Sequence, residues 1–214
     1  MVLVSPFMIS AKQRSRALRQ MRMLKKLGTP VALAAEGWNA EWKILIAIIM
    51  SARTRDETTI KVGKKLFLTF PSLNKLACAS ISQVETIVRP VNFFHNKARS
   101  VILCARMLVS DFNAKIPSTL EELISLPGVG RKTANVFLAE QGRAAIGVDT
   151  HVAYISRTLH WTHHTDPKKV EQDLSALFPR KEWRNINTSC VRFGKTYLSR
   201  KKKDALLSSI NSLR

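Results

Sequence analysis

Apolar positions along this chain recur at helical intervals, and no stretch sustains the two-residue alternation of a strand. Ala17, Leu18, Met21, Leu24 and Leu27 keep roughly helical spacing along an otherwise basic segment. From Trp42 to Ala52 almost every face is apolar, which suits a helix buried at the centre of a domain. Val101, Ala105, Leu108 and Phe112 repeat at i, i+4, i+7 and i+11. Ser118 with Glu121 makes a capping box just after Pro117, and Asp166-Pro167 opens a helix carrying Val170, Leu174 and Leu177. Glycine and proline number eight each and cluster at the ends of these segments. The pattern predicts an all-α fold of about ten short helices with no flexible linker.

Length and composition narrow the class. A chain of 214 residues holds one large domain or two small ones around a real core. The longest apolar run, Ile44 to Met50, is too short to cross a bilayer. No basic stretch precedes the apolar residues of Met1 to Ser10, so a secretory leader is not expected. Cys78, Cys104 and Cys190 are odd in number and far apart, which suits neither a disulfide framework nor a metal knuckle. A soluble, monomeric intracellular protein is expected.

Charge changes the picture most. The net charge of +20 calls for a polyanion, nucleic acid first and an anionic membrane surface second. Residues 1–35 carry seven basic side chains and no acid. Residues 192–214 carry another seven, Lys201, Lys202 and Lys203 among them, against Asp204 alone. One such run is usually a solvated face. Two at opposite ends would make a single cationic surface if they folded together.

The most informative stretch is Ser118 to Gly142, STLEELISLPGVGRKTANVFLAEQG. A helix with Leu120, Leu123 and Ile124 breaks at Pro127-Gly128-Val129-Gly130, and a second begins near Arg131. Two glycines around one apolar residue give a tight turn that a phosphate can approach closely. The second helix points its N-terminal N–H groups and positive dipole end into that turn. Arg131 and Lys132 add formal charge. This is a helix-hairpin-helix, which grips a DNA backbone without reading sequence. On the hairpin alone, phosphate contact is the natural role for Lys132. Downstream, Asp149 in Ile146-Gly147-Val148-Asp149-Thr150-His151-Val152 stands just before a helix bearing Val152, Ile155 and Leu159. It reads as an N-cap that can also aim a carboxylate into a cleft.

LPGVGRKTANV followed by AIGVDTHV resembles the endonuclease III branch of the helix-hairpin-helix DNA glycosylases. The likeness extends to WKILIAIIMSARTRD (Trp42 to Asp56) and to Asn92-Phe93-Phe94-His95-Asn96-Lys97, close to the family's Gly-(Phe/Leu)-Tyr-x-x-Lys. The resemblance implies a two-lobed all-α fold with a DNA-binding cleft between lobes. One lobe would span 36–142, ending in the hairpin at 118–142; the other would join 1–35 to 143–214 and so hold both basic ends. It further implies that Lys132 attacks C1′ of a damaged nucleotide and that Asp149 assists base departure. Gly128, Val129, Gly130 and Arg131 would hold the DNA backbone, Arg53 and Phe93 would fill the gap left by a flipped base, and Lys201–Lys203 would meet phosphate. Phe94 reads as core packing, and Asp56 matches a family acid at the cleft edge.

One departure is plain. Relatives end in a Cys-x6-Cys-x2-Cys-x5-Cys loop holding a 4Fe–4S iron–sulfur cluster. Here no cysteine follows Cys190, so no cluster, and no other metal or cofactor, is expected. His160, His163, His164 and Asp166 match no zinc spacing. Asn92 stands where relatives carry glycine, a change that left-handed turns tolerate. The expected function is a bifunctional DNA glycosylase/AP lyase of base excision repair acting on oxidised pyrimidines in duplex DNA, with no membrane partner. Localisation would be cytoplasmic at the nucleoid in a prokaryote, or in the nucleus or a DNA-containing organelle in a eukaryote. The alternatives are a monofunctional mismatch, uracil or adenine glycosylase and a non-catalytic hairpin DNA-binding protein. Lys132 argues against the first, Asp149 and the wedge residues against the second.

Overall fold

A computed structural model of the chain describes residues 9–212. The apolar start, Met1–Met8, on which the expectation of no leader rests, and the terminal Arg214 lie outside the described residues. Among the described residues no strand forms. The helices are α1 (Ala11–Leu27), α2 (Glu41–Ser51), α3 (Asp56–Thr69), α4 (Leu73–Ala77), α5 (Ile81–Val88), α6 (Phe94–Ser110), α7 (Leu120–Ser125), α8 (Arg131–Glu140), α9 (Thr150–Thr158), α10 (Pro167–Leu177), α11 (Trp183–Thr196) and α12 (Arg200–Asn211), with a 3-10 turn at Arg180–Glu182. None is long and apolar enough to cross a membrane. The fold is all-α. The helices outnumber the expectation because pieces as short as α4 form. The stretch 200–203 forms the first turn of α12.

The chain divides into two compact units. One runs from Ala32 to Arg143 and holds α2–α8. Its centre is α2, where Leu45 to Met50 are all buried, as the apolar run demands. Each of these side chains other than that of Ala47 contributes roughly 1.5–3 kcal/mol when removed from water. Against α2 lies α6, burying Val101, Ile102, Ala105 and Leu108. Phe112 falls beyond the end of α6, so the predicted stripe stops one position early. Side-chain caps start several helices: Ser72 opens α4, and Ser80 with Gln83 forms a full capping box on α5.

The other unit joins the residues up to Val31 to those from Ala144 onward. Leu24, Val152, Ile155, Val170, Leu174, Ile186, Phe193, Leu207 and Ile210 form its core. Polar ties knit its first and last helices. Arg16 Nη2 donates to Asn211 O at 3.0 Å and to its Oδ1 at 2.6 Å. Buried Gln20 donates to Asn211 Oδ1 at 3.1 Å and accepts the Trp161 indole N–H at 2.7 Å. Both basic ends of the sequence therefore fold into one unit.

Candidate active site and DNA-binding elements

The hairpin forms as α7, a turn over residues 126–130, and α8. Its first cap differs from the predicted pair of Ser118 and Glu121. Thr119 is the N-cap: its Oγ1 accepts the Glu122 N–H at 3.3 Å and donates to Glu122 Oε2 at 2.7 Å. The sequence carries two overlapping boxes, and the one used buries Leu123. The two glycines do different work. Gly128 has φ +80°, and a Cβ there would sit 2.6 Å from Ser100 Cβ and 3.3 Å from Ile49 Cγ2. That close seat against α2 and α6 needs glycine. Gly130 has an extended backbone, caps α8 without any side-chain bond, and an added Cβ would meet nothing within 4 Å. Between them Val129 is buried, and its N–H donates to Leu126 O at 3.0 Å. The turn thus presents bare backbone beside the first-turn N–H groups that a helix leaves without intrahelical partners. Arg131 and Lys132, both exposed, occupy that first turn.

A second assembly in the same unit brings Arg53 and Phe93 together. The Arg53 guanidinium lies 5.2 Å from the Phe93 ring centroid, and the ring is 57% exposed. Both residues adopt left-handed backbone, φ +54° and +59°, at a cost of roughly 1–2 kcal/mol each for a non-glycine residue. Neighbouring bonds hold them there. Asn92 Nδ2 donates to Arg53 O, and Asn92 N donates to Thr54 Oγ1 at 3.1 Å. Asn92, where relatives have glycine, is therefore a tie between the two loops. Phe94 departs from the expected core role: it is half-buried, its ring 3.9 Å from that of His95. It opens α6 at the unit's surface rather than inside it. Asp56 opens α3, where a carboxylate suits the helix N-terminus.

Sequence reasoning did not single out Lys97. Only 7% exposed, its Nζ donates to Met50 O and Ala52 O, both at 2.6 Å, and to Thr54 Oγ1 at 2.8 Å. Burial lowers its pKa to about 8. Its place four residues after Phe93, as the lysine of the Phe-Phe-His-Asn-Lys stretch, was the available signal.

In the other unit Asp149 caps α9, its Oδ1 accepting the Val152 N–H at 2.8 Å. It is half-buried. His151 packs so tightly on α11 that a Cβ at Gly194 would lie 2.1 Å from its Nδ1. Burial lowers the His151 pKa; the Asp149 charge raises it and the Lys203 charge lowers it. Asp149, His151 and Lys203 thus share one electrostatic neighbourhood. Ser199 caps α12 by accepting the Lys202 N–H at 3.4 Å. Lys201 and Lys202 are exposed and Lys203 is half-buried. Three lysines in a first turn oppose the helix dipole, so they do not serve the stability of α12. Asp204 offsets them. It accepts from Tyr154 Oη and from Arg200 Nε at 3.2 Å, and these bonds hold its carboxyl below the usual range. Burial and the bond to Asp204 push Tyr154 up to about 12. Lys132 and Asp149 belong to different units. Asp166 of the histidine-rich stretch caps α10, accepting the Lys169 N–H at 2.9 Å.

The residues present do not fit an iron–sulfur cluster, which needs several thiolates. Cys190 is fully buried within α11, and burial together with the Asp149 charge keeps it a thiol. Cys78 and Cys104 lie in the other unit, and burial pushes Cys104 up to about 12.

A hairpin with a bare-backbone turn, a basic first turn and a capping aspartate define a helix-hairpin-helix protein of the base-excision type. The chain belongs to the HhH-GPD superfamily of base excision DNA repair proteins, whose model matches residues 46–180, and within it to the endonuclease III branch. It is 36% identical over 194 residues to endonuclease III of Synechocystis sp., covering 90% of this chain and 88% of the relative. It is 39% identical over 155 residues to endonuclease III of Thermotoga maritima, covering 72% and 73%. A trapped endonuclease III–DNA covalent intermediate superposes with a TM-score of 0.79 at 30% identity, covering 87% of this chain and 88% of that one. The chain is a DNA glycosylase and AP lyase of base excision repair.

Proposed function

We propose that the chain excises oxidised pyrimidines from duplex DNA through a Schiff base on Lys132 and then cleaves 3′ to the abasic site. The observation that carries this reading is the position of Lys132. Its exposed amine stands in the first turn of α8, directly after the Gly128-Val129-Gly130 turn suited to a DNA backbone. The trapped covalent complex of the endonuclease III relative supports a covalent route.

The damaged nucleotide must leave the stack to be reached, and Arg53 with Phe93 fills the gap. Loss of the base builds positive charge on the sugar, which the Asp149 carboxylate stabilises, much as carboxylates serve glycosidases. The bond from Val152 N–H fixes the orientation of that carboxylate. The neutral Lys132 amine attacks C1′, the N-glycosidic bond breaks, and the base leaves with its bonding pair. Ring opening gives an iminium between Nζ and C1′. Loss of a C2′ proton then expels the 3′ phosphate by β-elimination, and water releases the enzyme. Gly128 to Arg131 hold the backbone at the hairpin, and Lys201–Lys203 add phosphate contacts. The chain acts as a monomer on DNA with damaged bases or abasic sites, without a cluster or other metal, wherever the cell keeps its DNA.

The test is borohydride trapping on a duplex with one abasic site and on one with thymine glycol. Wild-type protein should give a covalent complex on both, and Lys132→Gln on neither. Full strand cleavage by Lys132→Gln overturns the mechanism.

A further inference from the structure

We propose that Lys97 is a positioning residue for base separation, holding Arg53 and Phe93 as one rigid wedge. The inference rests on reading the chain as a base-flipping glycosylase. An apolar residue would fill the space between α2 and α6 without the penalty of burying an ammonium group. What lysine adds is three donors, and all three are used at the end of α2. Helices often stop on a left-handed glycine that satisfies their last carbonyls. Here the left-handed residue past α2 is Arg53, and the carbonyls of Met50 and Ala52 receive Nζ instead. The backbone of Lys97 completes the link: its N–H donates to Phe93 O at 3.0 Å. One residue is thus bonded through its main chain to one wedge residue and through its side chain to both neighbours of the other. Thr54 Oγ1 accepts from Lys97 and from Asn92, closing the circuit between the loops. A wedge held this way does not have to be ordered when the base step opens.

The test uses the full chain, with thymine glycol placed opposite adenine or opposite an abasic site, where no partner base must be parted. Under single turnover, Lys97→Met should slow excision opposite adenine by roughly tenfold to a hundredfold, the scale of lost charged hydrogen bonds. Excision opposite the abasic site should stay within about threefold, a change small on the same rate scale. Combined with Arg53→Ala, the loss should be far less than the product of the single losses. A second readout needs no chemistry: Lys132→Gln protein bound to a duplex with 2-aminopurine opposite thymine glycol, where a partner base must be parted, should brighten it, and Lys97→Met should abolish the rise. Brightening without excision by wild-type protein would fault the chemistry and leave the positioning role standing. If Lys97→Met does not fold, Asn92→Ala, which removes the bond to Arg53 O, and Thr54→Val, which removes the acceptor of both Lys97 and Asn92, should show the same substrate-selective loss. Equal loss on both substrates, or none, overturns the proposal.

Discussion

Changing Gly128 and Gly130 to alanine, one at a time, should separate folding from DNA binding within a single turn. At Gly128 the new methyl group must accept φ +80° and sit 2.6 Å from Ser100 Cβ. The left-handed backbone costs roughly 1–2 kcal/mol and the overpacking roughly 1–3 more. Gly128→Ala should therefore lose about 2–5 kcal/mol, and its DNA binding should fall because the hairpin no longer seats on α2 and α6. Gly130 presents the opposite case. Its backbone is one that alanine adopts readily, and its methyl group would meet nothing within 4 Å of the protein. Only the difference between glycine and alanine as an N-cap opposes it, at most about 1 kcal/mol. If a phosphate comes to rest on that bare backbone, the methyl group blocks it. Urea unfolding and affinity for a duplex with an uncleavable abasic analogue, measured at one salt concentration, distinguish the two. Gly130→Ala should unfold nearly as wild type yet bind at least tenfold more weakly, a loss of about 1.4 kcal/mol. Wild-type affinity in Gly130→Ala refutes the backbone-approach argument, and wild-type stability in Gly128→Ala refutes the packing argument.

Similar tests apply elsewhere in the molecule. Replacing Lys201, Lys202 and Lys203 by glutamine should weaken binding to all duplexes alike and lower the salt slope by up to about 0.9 for each phosphate no longer neutralised; an unchanged slope would remove α12 from the DNA surface. Gly194→Ala should displace His151 and destabilise the protein, and His151→Ala in the same chain should restore much of the loss because it vacates the space the methyl group needs. Asp204 has its folded pKa lowered, so the stability it contributes is present above its ordinary value of 3.8 and disappears as pH falls through the folded value. Denaturant curves of wild type and Asp204→Asn should accordingly differ at neutral pH and converge in acid. Purified protein should keep its trapping activity after exhaustive treatment with an iron chelator; loss of activity that iron and sulfide restore would contradict a cluster-free enzyme.

The sequence carried the fold class because its apolar spacing is helical almost throughout. The all-apolar run became α2, and Asp166-Pro167 became the start of α10, since both signals are local. The cap of α7 was legible as a kind of motif but not in register, because Ser118 and Thr119 each have a glutamate three residues on. The hairpin and the capping role of Asp149 were readable because turn chemistry and N-caps are written in adjacent residues. Lys97 was not readable in this way. A lysine in a chain of charge +20 looks like surface, and its three acceptors lie more than forty positions away. The left-handed backbone at Arg53 and Phe93 was hidden for the same reason. Neither residue favours that conformation, and only ties formed across the fold hold them in it.

Everything in the mechanism turns on Lys132 as the nucleophile, and borohydride trapping on an abasic duplex decides that point. Wild-type protein should give a covalent protein–DNA complex and Lys132→Gln none, while the variant still binds the duplex. A complex of undiminished yield with Lys132→Gln would place the Schiff base on another amine and contradict the mechanism.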